Sequence, residues 1–366
     1  MNRNEKRMRI GILLFMVIFL SHSFCHSQDD SKRNRKENVF VDNINDSIPV
    51  QVNLQYDEKG LPVHYYCHVN TPVCEHGLCK LMVIDVYWDM LGNFLKYELP
   101  PNESLTKFDH LEFTKEDHHQ LYGILSDKAS ILRDYPVEDL IDNRTQRKSE
   151  VVDAVSSATS IEVKDAIVGG AVYSTYTLWH IVNGPIASRI GEYTKPLFNE
   201  ALLIKMFNSN NFYYQFFALN NYPEEETVKY IPYIINLVKN GLSYIPYFAI
   251  EKIPMSVWAT NQYQVSLLKH FSDGDFELQN AFLNKITGIN LCTEALDMLI
   301  YGMRNTTDKQ LIKELDVINY NLDRLSQGSV SKIAEFSNHH DRQISEQTNL
   351  LLKSLEEKDK NKRKEY

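Results

Sequence analysis

The side chains best suited to chemistry in this 366-residue chain cluster at Asp153, Ser156, Ser157, Ala158 and Thr159. A carboxylate and three hydroxyls stand among small residues. An amphipathic pattern follows, with Val163, Ala166, Ile167, Gly170, Ala171, Ser174 and Leu178 recurring at i, i+3, i+4 spacing, the signature of one helix face. Ala166, Gly170 and Ser174 form a strip of small residues on that face, where another backbone can come close. Glu162 and Asp165 fall in the expected first turn, where acids suit the helix dipole. Ser157 or Thr159 can accept from the free N–H groups of that turn. The same N–H groups and positive dipole end also suit a phosphate. A threonine hydroxyl here is therefore either a plain helix cap or a point for a phosphate ester, and the physics of the segment leaves both readings open.

The spacing Asp153-x-x-Ser156-x-Ala158-Thr159 resembles the flavinylation signature of the FMN-binding domain family, Asp-x-x-(Ser/Thr)-Gly-Ala-Thr. The resemblance extends at most over about residues 60 to 185. It implies a domain that carries FMN covalently, its phosphate joined to the Thr159 hydroxyl by a separate flavin transferase. Such domains serve electron-transfer complexes in membranes, so a redox or membrane-complex partner is implied too. Ser157 stands where the family has glycine. Glycine permits a left-handed backbone or a close approach that serine resists.

Other groups carry weaker signals. Cys67, Cys74, Cys79 and Cys292 remain if Cys25 leaves with an export signal. Cys74 and Cys79 bracket Glu-His-Gly-Leu, and an exported protein permits a disulfide between them. A zinc set from Cys67, Cys74, Cys79 and His68 or His76 lacks the usual paired C-x-x-C spacing, so no metal site is assigned. His110, Asp117, His118 and His119 cluster in sequence, but adjacent residues on a helix point about 100° apart. Thr114 is expected to cap a helix there, with Asp117 as its capping-box partner and Leu121, Ile124 and Leu125 as the buried face. Asp85 and Asp89 flank Trp88 on a hairpin, where surface or turn roles fit better than acid–base work. There is no nucleophile triad, phosphate-binding loop or dinucleotide fingerprint.

The elements that must position these groups divide the chain. Arg3, Lys6, Arg7 and Arg9 precede an apolar run from Ile10 to Leu20, too short for a comfortable membrane span. Residues 1–27 therefore read as a cleaved signal peptide, which places the protein outside the cytoplasm, in the periplasm or cell envelope. Residues 28–47 are polar and charged and read as a flexible leader. Val50, Val52 and Leu54 alternate, Asp57-Glu58-Lys59-Gly60 reads as a turn, His64 to Val69 and Leu81 to Trp88 read as strands, and Phe94 to Leu99 closes a hairpin. An antiparallel sheet backed by the helix after Thr159 makes an α+β domain over residues 48–185. Residues 186–355 are helical in pattern, with breaks at Asn208–Asn211, Asn221–Pro223, Asn240–Gly241, Ile253–Pro254, Ser272–Gly274, Thr287–Gly288, Asn305–Thr307 and Gln327–Ser329. Helices so linked stack as antiparallel pairs, an all-α, HEAT-like domain. Its many aromatics, Tyr213, Phe216, Tyr230, Tyr244 and Phe248 among them, are expected mainly in its core. Residues 356–366 form a charged tail, expected to fray from Leu352.

The net charge of −9 and the absence of a basic aromatic stripe argue against nucleic acid. Two functions remain: an exported electron carrier with FMN on Thr159, or an exported helical-repeat interaction scaffold without a cofactor.

Overall fold

The computed structural model describes residues 35–44, 48–73, 80–107, 110–140 and 165–362. The chain divides into two compact units, Met1–Phe198 and Asn199–Tyr366. The first is α+β and the second all-α.

Five strands build the first unit: β1 (Lys36–Ile44), β2 (Ile48–Tyr56), β3 (Pro62–Thr71), β4 (Met82–Trp88) and β5 (Phe94–Glu98). They form one antiparallel sheet in sequence order. Alternation sends Val50, Val52, Leu54, Tyr65, Cys67, Val69, Met82, Ile84, Val86 and Trp88 to the buried face, as a period of two requires. The β2–β3 turn is held by Asp57, whose Oδ1 accepts from the N–H groups of Lys59 and Leu61. Between β4 and β5, buried Asp89 accepts from the backbone of Leu91 and Asn93 and from the Asn93 amide. Gly92 in this loop has φ +73°, and a Cβ there would lie 2.3 Å from the Ala187 carbonyl oxygen. Only glycine fits so close an approach in the left-handed region.

Among the described residues, three α-helices belong to this unit: α1 (Lys115–Ser126), α2 (Val172–Asn183) and α3 (Pro185–Thr194). Thr114 and Asp117 make the expected capping box of α1, and Leu121, Ile124 and Leu125 are its buried residues. The sheet is pinned to the helices by Trp88, whose indole N–H donates to Val182 O at 2.7 Å, and by Tyr65, whose hydroxyl meets Thr194 Oγ1 at 2.9 Å.

One expectation is corrected here. The stretch read as a flexible leader contributes β1, because Arg189 of α3 donates to Val41 O, pairs with Asp42 and stacks over Phe40. Beyond α1 the chain makes two 3₁₀ turns, Ile131–Arg133 and Val137–Leu140, parted by Pro136, which cannot supply a backbone N–H.

The second unit contains α4 (Glu200–Phe207), α5 (Phe212–Asn221), α6 (Thr227–Asn240), α7 (Ile245–Lys252), α8 (Met255–Trp258), α9 (Asn261–Leu268), α10 (Phe276–Ile286), α11 (Thr293–Gly302), α12 (Asp308–Tyr320), α13 (Gln327–Ala334) and α14 (Arg342–Lys362). Helices α4, α6, α9, α11 and α13 touch in succession along one row, and α5, α7, α10, α12 and α14 along another. Buried amides tie successive turns together. Gln215 donates to Ser209 O and accepts from Leu242 N. Gln264 donates to Trp258 O and Asn290 O and accepts from Cys292 N. Asn321 donates to Ile289 O and Val317 O and accepts from Leu291 N. Gln310 donates to Phe276 O and accepts from Thr307 N.

The expected break at Gln327–Ser329 falls inside a helix. Ser326 caps α13 by accepting from Ser329 N, so Gln-Gly-Ser forms a first turn. The tail expected to fray from Leu352 is helical through Lys362. The aromatics, expected mainly in the core, split. Tyr230 is buried with Phe207, while Tyr213, Phe216 and Tyr244 are exposed. Among the described residues no helix is long and apolar enough to cross a membrane.

Candidate functional site

Asp153, Ser156, Ser157, Ala158 and Thr159 lie outside the described residues, and so do Cys74 and Cys79. The structure describes the frame on either side of residues 141–164. Upstream, Leu140 is buried at the end of a 3₁₀ turn that packs on α2. Downstream, the backbone runs through turns from Asp165 to Gly170. Ile167 and Val168 are buried. The Gln120 side chain of α1 donates to Ile167 O at 3.1 Å, and Val168 N donates to Thr175 Oγ1 at 3.3 Å. Gly170 takes φ +75° with the Lys107 side chain beside it.

Helix α2 therefore starts at Val172, with Ala171 as an N-cap that makes no side-chain hydrogen bond. This corrects the sequence pattern, which ran one helix through Val163, Ala166 and Gly170. Those small residues do not make a helical strip, because Ala166 and Gly170 sit in turns. It also means that Thr159 does not cap the helix carrying Ser174 and Leu178.

Titratable groups lie on α1, on α2 and on the segments beside them. Lys107 Nζ pairs with Asp117 Oδ2 at 2.6 Å, and this contact with the Thr114 N–H holds the Asp117 carboxyl below its ordinary range despite the opposing cost of desolvation. His118 Nδ1 lies 2.6 Å from the Tyr97 hydroxyl, with the Phe113 ring 5.5 Å away. Burial pushes the Tyr97 phenol up to about 12. On α2, His180 Nε2 meets Leu132 O at 2.9 Å and its ring lies 4.3 Å from Tyr176. Burial lowers the His180 pKa, so the ring is neutral at pH 7.

The other sequence candidates do not converge. His110 and His119 are exposed and His118 is turned toward Tyr97. Cys67 is fully buried in the sheet core, where burial pushes its thiol up to about 12, while His68 is on the opposite, exposed face of β3. Neighbouring strand residues point apart, so Cys67 and His68 cannot share an ion. Asp85 is engaged by His68 at 2.8 Å and Asp89 organises its loop.

Sequence reasoning missed the outer face of the sheet. There Tyr66 and Tyr87 stack at 5.8 Å beside His64, with Lys36 and Lys96 over the two tyrosine rings. The alternation of β3 and β4 that marks the core also marks these partners, but their pairing across strands depends on register. In the helical unit an open cleft of ≈ 690 Å³ is lined by Asn261, Gln262, Ser266, Cys292, Glu294 and Arg324, among others. It holds no convergent set of acid, base and nucleophile. Compared with known proteins, the chain matches no protein-family model, and no curated protein is significantly similar to it.

Proposed function

We propose that the protein is an exported electron carrier holding FMN as a phosphoester on Thr159. The observation that carries this reading is the spacing Asp153-x-x-Ser156-x-Ala158-Thr159. The start of α2 at Val172 takes that helix's end away from Thr159 both as something to cap and as a dipole for a phosphate, so the spacing alone carries the reading. In the attachment step, Thr159 Oγ bonds to the flavin phosphorus. A flavin dinucleotide donor gives up its mononucleotide leaving group, the threonine hydroxyl loses its proton, and a separate transferase catalyses the exchange. The flavin supplies the electron chemistry and the protein supplies position. A covalent tether suits a compartment where lost FMN is not replaced.

The test is expression with an active flavin transferase, followed by denaturing electrophoresis and flavin fluorescence of the band. The expected result is a fluorescent band that Thr159→Ala abolishes and Ser157→Gly strengthens. An unmodified mass, with the transferase proven on another substrate, rejects the reading.

A second reading, an exported interaction scaffold built from HEAT-like helical pairs, is favoured by one surface. Exposed Phe216 and Tyr244 and half-buried Phe212 and Phe248 form a run of rings across α5 and the start of α7. Phe212 stacks with Phe216 and meets Tyr244, and Phe216 stacks with Phe248 at 4.8 Å. Contiguous exposed aromatics mark binding surfaces more often than isolated ones do. This reading predicts full stability and partner capture with Thr159→Ala.

A further inference from the structure

His339 and His340 are adjacent in sequence, in the connection between α13 and α14, and both rings meet the carboxylate of Asp308, the first residue of α12. His340 Nε2 lies 3.2 Å from Asp308 Oδ2. His339 Nε2 lies 3.9 Å from Oδ1. The ring centroids are 4.3 Å apart, and the three potential ligand atoms all lie within 4.8 Å of one another. Thr307, not Asp308, caps α12, so the Asp308 carboxylate is not spent on the helix end.

We propose that Asp308, His339 and His340 form a binding site for a zinc-class divalent ion. Two imidazole nitrogens and one carboxylate oxygen are the donors that zinc takes, with a further position left for water. Calcium and magnesium prefer all-oxygen sets, which these residues do not offer. Zinc bonds of about 2.0–2.1 Å place tetrahedral ligands about 3.3 Å apart. The His340–Asp308 separation already meets this, and small side-chain rotations close the other gaps.

One hydrogen bond must give way. His339 Nδ1 accepts from Asp341 N at 3.2 Å. A metal on Nε2 moves the ring proton to Nδ1, and the Asp341 N–H then loses that acceptor. The site would link the start of α12 to the connection that leads into α14. It does not depend on Thr159 or on a flavin.

The experiment uses the full chain, stripped with a chelator and titrated with zinc by calorimetry and with cobalt by visible absorption. One equivalent should bind, with the ligand-field bands of a low-coordinate cobalt site and a rise in melting temperature. His340→Ala changes a largely exposed side chain, so the fold should persist, and Asp308→Asn is nearly isosteric. Each should weaken binding at least tenfold and remove the thermal shift. Binding that both variants leave unchanged places the ion elsewhere, for instance on cysteines, and overturns the proposal. Absence of zinc binding in the unaltered chain, or binding of calcium in preference to zinc, overturns it equally.

Discussion

In the sheet unit, long-range polar ties come from side chains of different kinds, among them the Trp88 indole on Val182 O, the Trp179 indole on Asp127 O, the Asn183 amide on Leu125 O and the Tyr65 hydroxyl on Thr194. In the helical unit one device recurs, a buried amide that spans two backbone segments, at Gln215, Gln264, Gln310 and Asn321. The difference follows from architecture. A sheet covered by a few helices has one interface, and whichever side chains cross it have no substitutes. A row of helical pairs repeats its interface, so the same solution can appear at each junction. Stability should therefore be concentrated in the first unit and distributed in the second.

Trp88→Ala tests the concentrated case. Trp88 is fully buried, and its removal should cost about 3–5 kcal/mol, lost as cooperative melting of the sheet unit while far-ultraviolet helical signal from the second unit persists. If both signals fall together, the two units do not unfold separately. Gln264→Ala tests the distributed case. It leaves Trp258 O, Asn290 O and Cys292 N without their amide partner, a loss of about 3 kcal/mol. Denaturant unfolding of the helical unit should then become two-step, because one junction is weakened and the others are not. A single sharp transition with an unchanged slope would contradict the distributed picture.

Glu314 sharpens the same contrast through pH. Its side chain is fully buried in α12, Oε1 lacks a hydrogen-bond partner, and Thr306 Oγ1 donates to Oε2. Burial pushes the carboxyl up to about 8 from an ordinary 4.5. Between those values the folded chain holds a proton that the unfolded chain releases, so stability falls as pH rises from 4.5 to about 8 and levels off above. Glu314→Gln should flatten that decline and gain about 2–3 kcal/mol near pH 7, with no gain below pH 4.5. A parallel pH profile for both proteins would refute the buried-acid account. The smallest effect belongs to Tyr65→Phe. Thr194 Oγ1 also donates to Ile190 O, so the hydroxyl lost from the sheet leaves its partner satisfied. The expected loss is about 1 kcal/mol by thermal melting, well short of Trp88→Ala.

Much of the fold was readable because alternation and helical period are local. Val50, Val52 and Leu54, and Leu81 to Trp88, announce β2 and β4, and seven of the eight expected helix breaks coincide with described connections. β1 was hidden because Lys36, Glu37 and Asp42 give it the composition of a solvated leader, and its anchor, Arg189, is far away in sequence. The start of α2 was misplaced because an i, i+3, i+4 pattern can be drawn through residues that are not helical. Gly169-Gly170, the latter at φ +75°, was the contrary signal. For the site, the motif ending at Thr159 is a sequence observation whose residues lie outside the described structure. The Asp308–His339–His340 cluster was invisible beforehand, since it joins a helix start to a loop one helical pair later.

The succession of neighbours along the two rows also shapes how the helical unit yields. Helix α14 packs on α12 and α13, and among the described residues no later helix joins its row. A terminal pair can detach at the cost of one junction, whereas an interior pair must break two. Amide deuterium uptake should accordingly advance inward from α14 as a moving front, so that the tail end of the stack behaves as a latch that opens long before the middle.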